Sequence, residues 1–170
     1  EFVGCDNENV FTLTNVGMHM RPDLFDPHSI HWHGFPNASA IFDGVPDASI
    51  SPNMGASFTY YYNVVEPGTY MYHCHVEATE HMQMGMLGNL YVRPKQNRLP
   101  DNWCFATQSV NPGCPGPLHS NPDYNANRNL DDPEVGSKYA YDDGDGSTRY
   151  DVDYAIQIGS FDPNFHDQHL

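Results

Sequence analysis

The stretch Thr69–Met86 reads TYMYHCHVEATEHMQMGM, and how its first seven residues fold decides the rest. Thr69–His75 (TYMYHCH) is aromatic-rich and strand-prone, and the turn Glu66-Pro67-Gly68 separates it from a strongly β-prone run, Ser57–Val65 (SFTYYYNVV). Successive side chains of a strand point to opposite faces, so His73 and His75 look one way and Cys74 between them looks the other. Working outward, His28–Phe35 (HSIHWHGF) is strand-like as well. His31 and His33 share one face there, while His28, at odd spacing, falls on the other if the strand stays regular. Val10–Asn15 (VFTLTN) and Leu87–Val92 (LGNLYV) complete the set of strands, and Arg93-Pro94 ends the last. Met18–Pro27 and Phe42–Pro52 read as loops, and Glu77–Met82 as a short helical turn. Short strands at close spacing with turn signals and no long helical period predict an all-β sandwich.

Beyond residue 97 the character changes. Residues 98–148 are rich in Pro, Asn, Asp and Gly, as a linker or a long surface excursion would be. Tyr150–Ile158 (YDVDYAIQI) alternates again and predicts a new strand, so 149–170 reads as the beginning of a second domain, cut short. Asp142-Asp143-Gly144-Asp145-Gly146 lacks the closing Glu of a calcium loop and reads as a solvated turn. The net charge is −15, with only seven Lys+Arg. That repels nucleic acid and anionic lipid and favours cations, neutral organics or a basic partner. No apolar run is long enough to span a membrane, and no leader pattern is visible. Of four Cys, Cys104 and Cys114 lie ten apart where a loop-closing disulfide is expected, which places the chain in an oxidising, extracytoplasmic compartment. Cys5 has no partner that the sequence names, and Asn37-Ala38-Ser39 fits a glycosylation acceptor.

The chemistry lies in His28, His31 and His33, then His73, Cys74, His75 and His81, with Met86 five residues on. A copper ion that passes single electrons calls for a thiolate, two imidazoles and a weak thioether. Cys74, His28, His81 and Met86 supply that set, three of them on one loop. Zinc also accepts His and Cys, and Met82 and Met84 read more simply as core filling. The two His-x-His pairs form a second set of imidazoles on the opposite face, joined covalently to the first through Cys74.

These residues closely resemble the multicopper oxidases, which include laccases, ferroxidases and manganese oxidases. His28-Ser29-Ile30-His31-Trp32-His33-Gly34 is similar to the family's H-x-x-H-x-H-G motif. His73-Cys74-His75, His81 and Gly85-Met86 resemble its H-C-H…H-x-x-x-G-M motif, with five residues after His75 where three are usual. Asp43-Gly44-Val45-Pro46 and Pro67–His73 resemble two intervening segments, and the likeness runs from about Gly4 to Val92. A weaker likeness at Tyr154–Asp167 is to the opening of a following domain. The resemblance implies a cupredoxin-like Greek-key sandwich over 1–97. It implies that His28, Cys74, His81 and Met86 bind a type 1 copper, His31 a type 2 copper, and His33, His73 and His75 a type 3 pair. Asp43 matches an acidic residue that delivers protons. The activity implied is one-electron oxidation of a small reductant, a metal ion or a phenol, coupled to reduction of O2 to water. The trinuclear cluster would need further His from another cupredoxin domain or subunit, so this chain by itself is expected to be inactive. A copper nitrite reductase-like enzyme shares the type 1 arrangement but not the paired His-x-His motifs. A non-enzymatic electron-transfer or structural cupredoxin module would need neither.

Overall fold

A computed structural model describes residues 7–17, 26–35, 39–122 and 136–168. Cys5, most of the 18–27 loop and two residues of the glycosylation triplet lie outside the described residues. The chain forms two compact units, one built on Asn7–Val64 and Thr69–Leu90 with the stretch from Ala155 onward, the other on Val65–Gly68 and Tyr91–Tyr154.

In the first unit, β1 (Asn7–Thr14) pairs antiparallel with β3 (Ser57–Val64), Thr12 facing Thr59 and Phe11 facing Tyr60. A second sheet has the order β2 (His31–His33), β4 (Gly68–His73), β5 (Leu87–Val92). The alternation of β3 turns Tyr60, Tyr62 and Val64 inward and leaves Thr59, Tyr61 and Asn63 exposed. Trp32 of β2 meets Tyr62 edge-on with ring centroids 5.1 Å apart, which closes one sheet over the other. Ile30, Phe35 and Leu90 fill the same core. Burying each large side chain of this layer contributes roughly 1.5–3 kcal/mol. The result is the all-β sandwich that the strand pattern predicts.

Three predicted strands come out shorter. His28–Phe35 joins the ladder only over His31–His33, because the preceding amides are held elsewhere: His28 N–H by the Pro52 carbonyl, Ser29 N–H by Cys74 Sγ and Ile30 N–H by Tyr60 Oη. Thr69–His75 ends at His73, since Cys74 N–H donates to the Met86 carbonyl instead. Tyr150–Ile158 is strand only at Tyr150. Tyr154, Ile156 and Ile158 are exposed, and hydrogen bonds to the stretch beyond run through side chains, Asn89 to the Ile156 carbonyl and Gln157 to the Leu87 carbonyl. A strand needs a ladder partner, and none is present there among the described residues. Two helices are short, α1 (Ala78–Gln83) and α2 (Pro163–Gln168). No helix among the described residues is long and apolar enough to cross a membrane.

In the second unit, β6 (Trp103–Cys104) pairs with β7 (Ser109–Val110) and β8 (Leu118–His119), and β9 (Lys138–Tyr139) pairs with β10 (Arg149–Tyr150). The expected disulfide joins Cys104 to Cys114. The acidic loop is more ordered than a solvated turn. Burial pushes the Asp143 carboxyl up, but donors from Thr148, Asp145, Gly146 and Gln96 outweigh it and hold the group far below the usual carboxylate range.

His119 is fully buried and stacked on Tyr139. Burial drives its pKa down to about 4, against the Leu99 carbonyl and the Asp101 charge, which favour the cation. The unfolded chain therefore binds the proton first. Stability is expected to be flat above the ordinary His value of about 6.5 and to fall as pH drops from there towards about 4. Urea unfolding across that range tests this, and His119→Gln should flatten the slope. An unchanged slope in the variant would assign the effect to other groups.

Candidate metal centre

Two clusters of ligand-bearing side chains form in the first unit. Cys74 is fully buried and is the free cysteine among the described residues. Its Sγ lies 3.2 Å from His81 Nδ1 and 3.8 Å from His28 Nδ1, and the two imidazole centroids are 4.5 Å apart. Main-chain bonds fix this loop: Cys74 N–H to the Met86 carbonyl at 3.1 Å, and Met86 N–H to the His81 carbonyl at 2.9 Å. Between His75 and His81 the chain turns at Glu77, which caps α1 in the left-handed region at φ 45°. Burial alone would push the Cys74 thiol up, but hydrogen bonds from His28, His81 and the Ser29 amide bring it down to about 6. The sulfur is poised as a thiolate, the form that binds metal. Met86, His28 and His81 also line a cavity of about 310 Å³ with Leu13, Val16 and Met84, and Asp26 and Glu80 reach its wall.

The second cluster lies across the β2–β4 ribbon. Pairing of His31 with His73, and of His33 with Met71, brings the ligand nitrogens of His31, His33 and His73 within 4.8 Å of one another. His31 Nδ1–H donates to the Asp43 carbonyl at 2.7 Å, and His73 Nδ1–H donates to the Cys74 carbonyl at 2.8 Å. Each bond fixes the tautomer and leaves Nε2 with its lone pair for a metal. His73 Nε2 and His33 Nδ1 face each other at 3.2 Å. Burial, and then the neighbouring imidazoles, keep His73 below its ordinary value and hence neutral. His75 stacks on His73 at 5.8 Å and stands 5.1 Å from His31, but its nitrogen is not part of the compact trio. Asp43 also places Oδ1 3.3 Å from His31 Nδ1.

The sequence reading missed Ser29 and Tyr60. Ser29 is fully buried: its amide donates to Cys74 Sγ, its hydroxyl donates to the Gly44 carbonyl at 2.6 Å, and it accepts from His75 N–H at 3.2 Å. It thereby ties the thiolate to the imidazole face. A small polar residue between two predicted ligands was the available signal. Tyr60, which pins Ile30, gave none beyond being aromatic in a strand.

A soft thiolate with two imidazoles and a nearby thioether suits copper, and a trio of imidazoles suits it equally. Residues 8–97 match the sequence model of the family described as multicopper oxidase, more than half of the chain. The chain belongs to the multicopper oxidase family. Multicopper oxidase MCE of Talaromyces pinophilus is 39% identical over 71 residues, 41% of this chain and 11% of that protein. Laccase-1 of Emericella nidulans is 37% identical over 73 residues, 42% of this chain and 12% of its own length. Multicopper oxidase MmcO of Mycobacterium tuberculosis is 43% identical over 53 residues, 31% of this chain and 10% of its own length. The chain thus spans about a tenth of the length of these multicopper oxidases. Membership of this family implies copper as the cofactor.

Proposed function

We propose that the whole protein couples one-electron oxidation of a small reductant to the reduction of O2 to water, and that this chain holds the first copper site and half of the second. His28, Cys74, His81 and Met86 would hold the type 1 copper, His31 the type 2 copper, and His33, His73 and His75 the type 3 pair. The observation that carries this reading is the placement of two donor sets on opposite sides of one segment, with Cys74 covalently between His73 and His75. When bound, copper supplies single-electron acceptance at the first set and oxygen reduction at the second.

The chain's own residues do the rest. Cys74 and the backbone to His73 and His75 form the shortest covalent link between the sets. Ser29 holds the sulfur and the His75 amide in fixed relation. Asp43, about a third exposed beside His31, can hold a proton at the edge of the cluster. The cavity next to His28 and His81 suits a small reductant, a metal ion at Asp26 and Glu80 or a phenol against Leu13 and Val16. The remaining cluster ligands would come from another cupredoxin domain or subunit, with 149–170 opening the following domain. The disulfide supports an extracytoplasmic location.

The paired imidazoles separate this reading from its rivals. In the copper-loaded whole protein, His33→Ala and His75→Ala are expected to abolish oxygen consumption while leaving the blue absorption of the Cys74 site in place. Intact electron transfer and substrate turnover in both variants would mark a simple electron carrier, and nitrite turnover without oxygen consumption a reductase.

A further inference from the structure

Resting on the proposed oxygen chemistry, we propose that Trp32 is a one-electron relay that draws oxidising equivalents off the His31/His33/His73 cluster and passes them to Tyr72. Trp32 is the residue between His31 and His33, so its backbone is part of the cluster while its indole lies on the opposite face of β2. Only 4% of Trp32 is exposed. Directly across the ribbon stands Tyr72, with ring centroids 5.2 Å apart, and Tyr72 in turn precedes His73. Imidazoles thus occupy one face of the ribbon and a Trp–Tyr pair the other.

Among side chains without sulfur, indole and phenol are the most easily oxidised by one electron, and the neighbours of Trp32 differ in what they can do next. Phe11, 6.3 Å away, is not readily oxidised. Tyr62, 5.1 Å away, is buried and gives its hydroxyl hydrogen to the Phe42 carbonyl, which is no base. Oxidation there would strand a proton. Tyr72 is only half-buried, so its proton can leave to water. Space for that ring is kept at Gly88, where a Cβ would come within 2.5 Å of the Tyr72 hydroxyl.

A hydroxyl-radical-class oxidant, formed when hydrogen peroxide takes up one electron, accepts an electron from Trp32 and becomes hydroxide. The indole keeps its proton as a cation radical. Tyr72 then gives one electron to Trp32 and its phenolic proton to water, and an external reductant restores Tyr72 with one electron and one proton. The function would be protective, sparing the imidazoles from oxygen addition.

The test uses the copper-loaded whole protein without reducing substrate, treated with hydrogen peroxide and sub-stoichiometric ascorbate, then frozen rapidly for EPR and digested for peptide mass analysis. The wild type should give an organic radical that narrows when its tryptophans are ring-deuterated. Trp32→Phe should lose that signal and show severalfold more oxygen addition at His31 and His33. Tyr72→Phe should keep the radical and prolong its life severalfold, and it carries the test if Trp32→Phe does not fold. Unchanged radical yield and imidazole oxidation in Trp32→Phe, an unchanged lifetime in Tyr72→Phe, or a radical assigned to Trp103 would overturn the relay. A blue protein without a radical sinks the relay alone, whereas a protein that binds no copper sinks the proposed function with it.

Discussion

Cys74→Ser is expected to erase the intense blue absorption of the copper-loaded whole protein and to reduce its oxygen consumption to background, so that colour and activity are lost together. Sγ sits 3.2 Å and 3.8 Å from the two imidazole nitrogens that face it, so the sulfur is the centre of the first donor set. The environment already favours the anion, with the thiol brought down to about 6. A serine hydroxyl stays protonated at any working pH, is a hard and weak donor, and gives no comparable charge-transfer band. The metal-free fold should change little. Serine is smaller than cysteine, and its hydroxyl inherits the Ser29 amide as a donor, so the stability difference is about 1 kcal/mol. Visible absorption, copper stoichiometry and thermal unfolding of the metal-free chain measure the three parts separately. Copper retained at this position with its colour intact would disprove the ligand assignment.

Much of this arrangement was legible in the sequence because a strand's period is short and strict. Alternation around Cys74 set it apart from His73 and His75, and the ligand atoms gather as His28, Cys74 and His81 and as His31, His33 and His73 even though the hydrogen-bonded ladder stops at His73. What alternation could not reveal is what holds the ligands once the ladder ends. Ser29, Tyr60 and the Met86 carbonyl take over the amides that a neighbouring strand would otherwise bind, and such long-range side-chain bonds leave no periodic trace. The same limit applies at Tyr150–Ile158. Alternation there was visible, but a strand is a property of two segments, and the partner is not among the described residues. His119 was invisible for a related reason. A lone histidine in a turn-rich segment reads as solvent-facing, and its burial on Tyr139 depends on pairings of only two residues each.

Gly44→Ala is expected to have the largest effect on stability, and through it on the imidazole cluster. Gly44 sits at φ +73°, a region that disfavours any side chain by roughly 1–2 kcal/mol. Its surroundings make matters worse. An added Cβ would lie 2.0 Å from the Ile30 carbonyl oxygen and 2.7 Å from the His31 amide nitrogen, both backbone atoms that cannot rotate aside. Relief requires the Asp43–Gly44 turn to move away from the start of β2, which adds about 1–3 kcal/mol of overpacking strain. Together these terms reach a large share of the 5–15 kcal/mol that ordinarily separates folded from unfolded domains. The movement also breaks two contacts that matter for the site. The Asp43 carbonyl no longer fixes the His31 tautomer, and the Gly44 carbonyl no longer receives the Ser29 hydroxyl. Metal affinity should therefore fall alongside the unfolding midpoint. Gly55→Ala supplies the comparison, because Gly55 has a similar φ of +83° but nothing within 4 Å of the added carbon. It should show the conformational penalty alone and leave copper binding untouched. If the two substitutions lower the urea midpoint equally, close approach of the turn to Ile30 is not what positions His31.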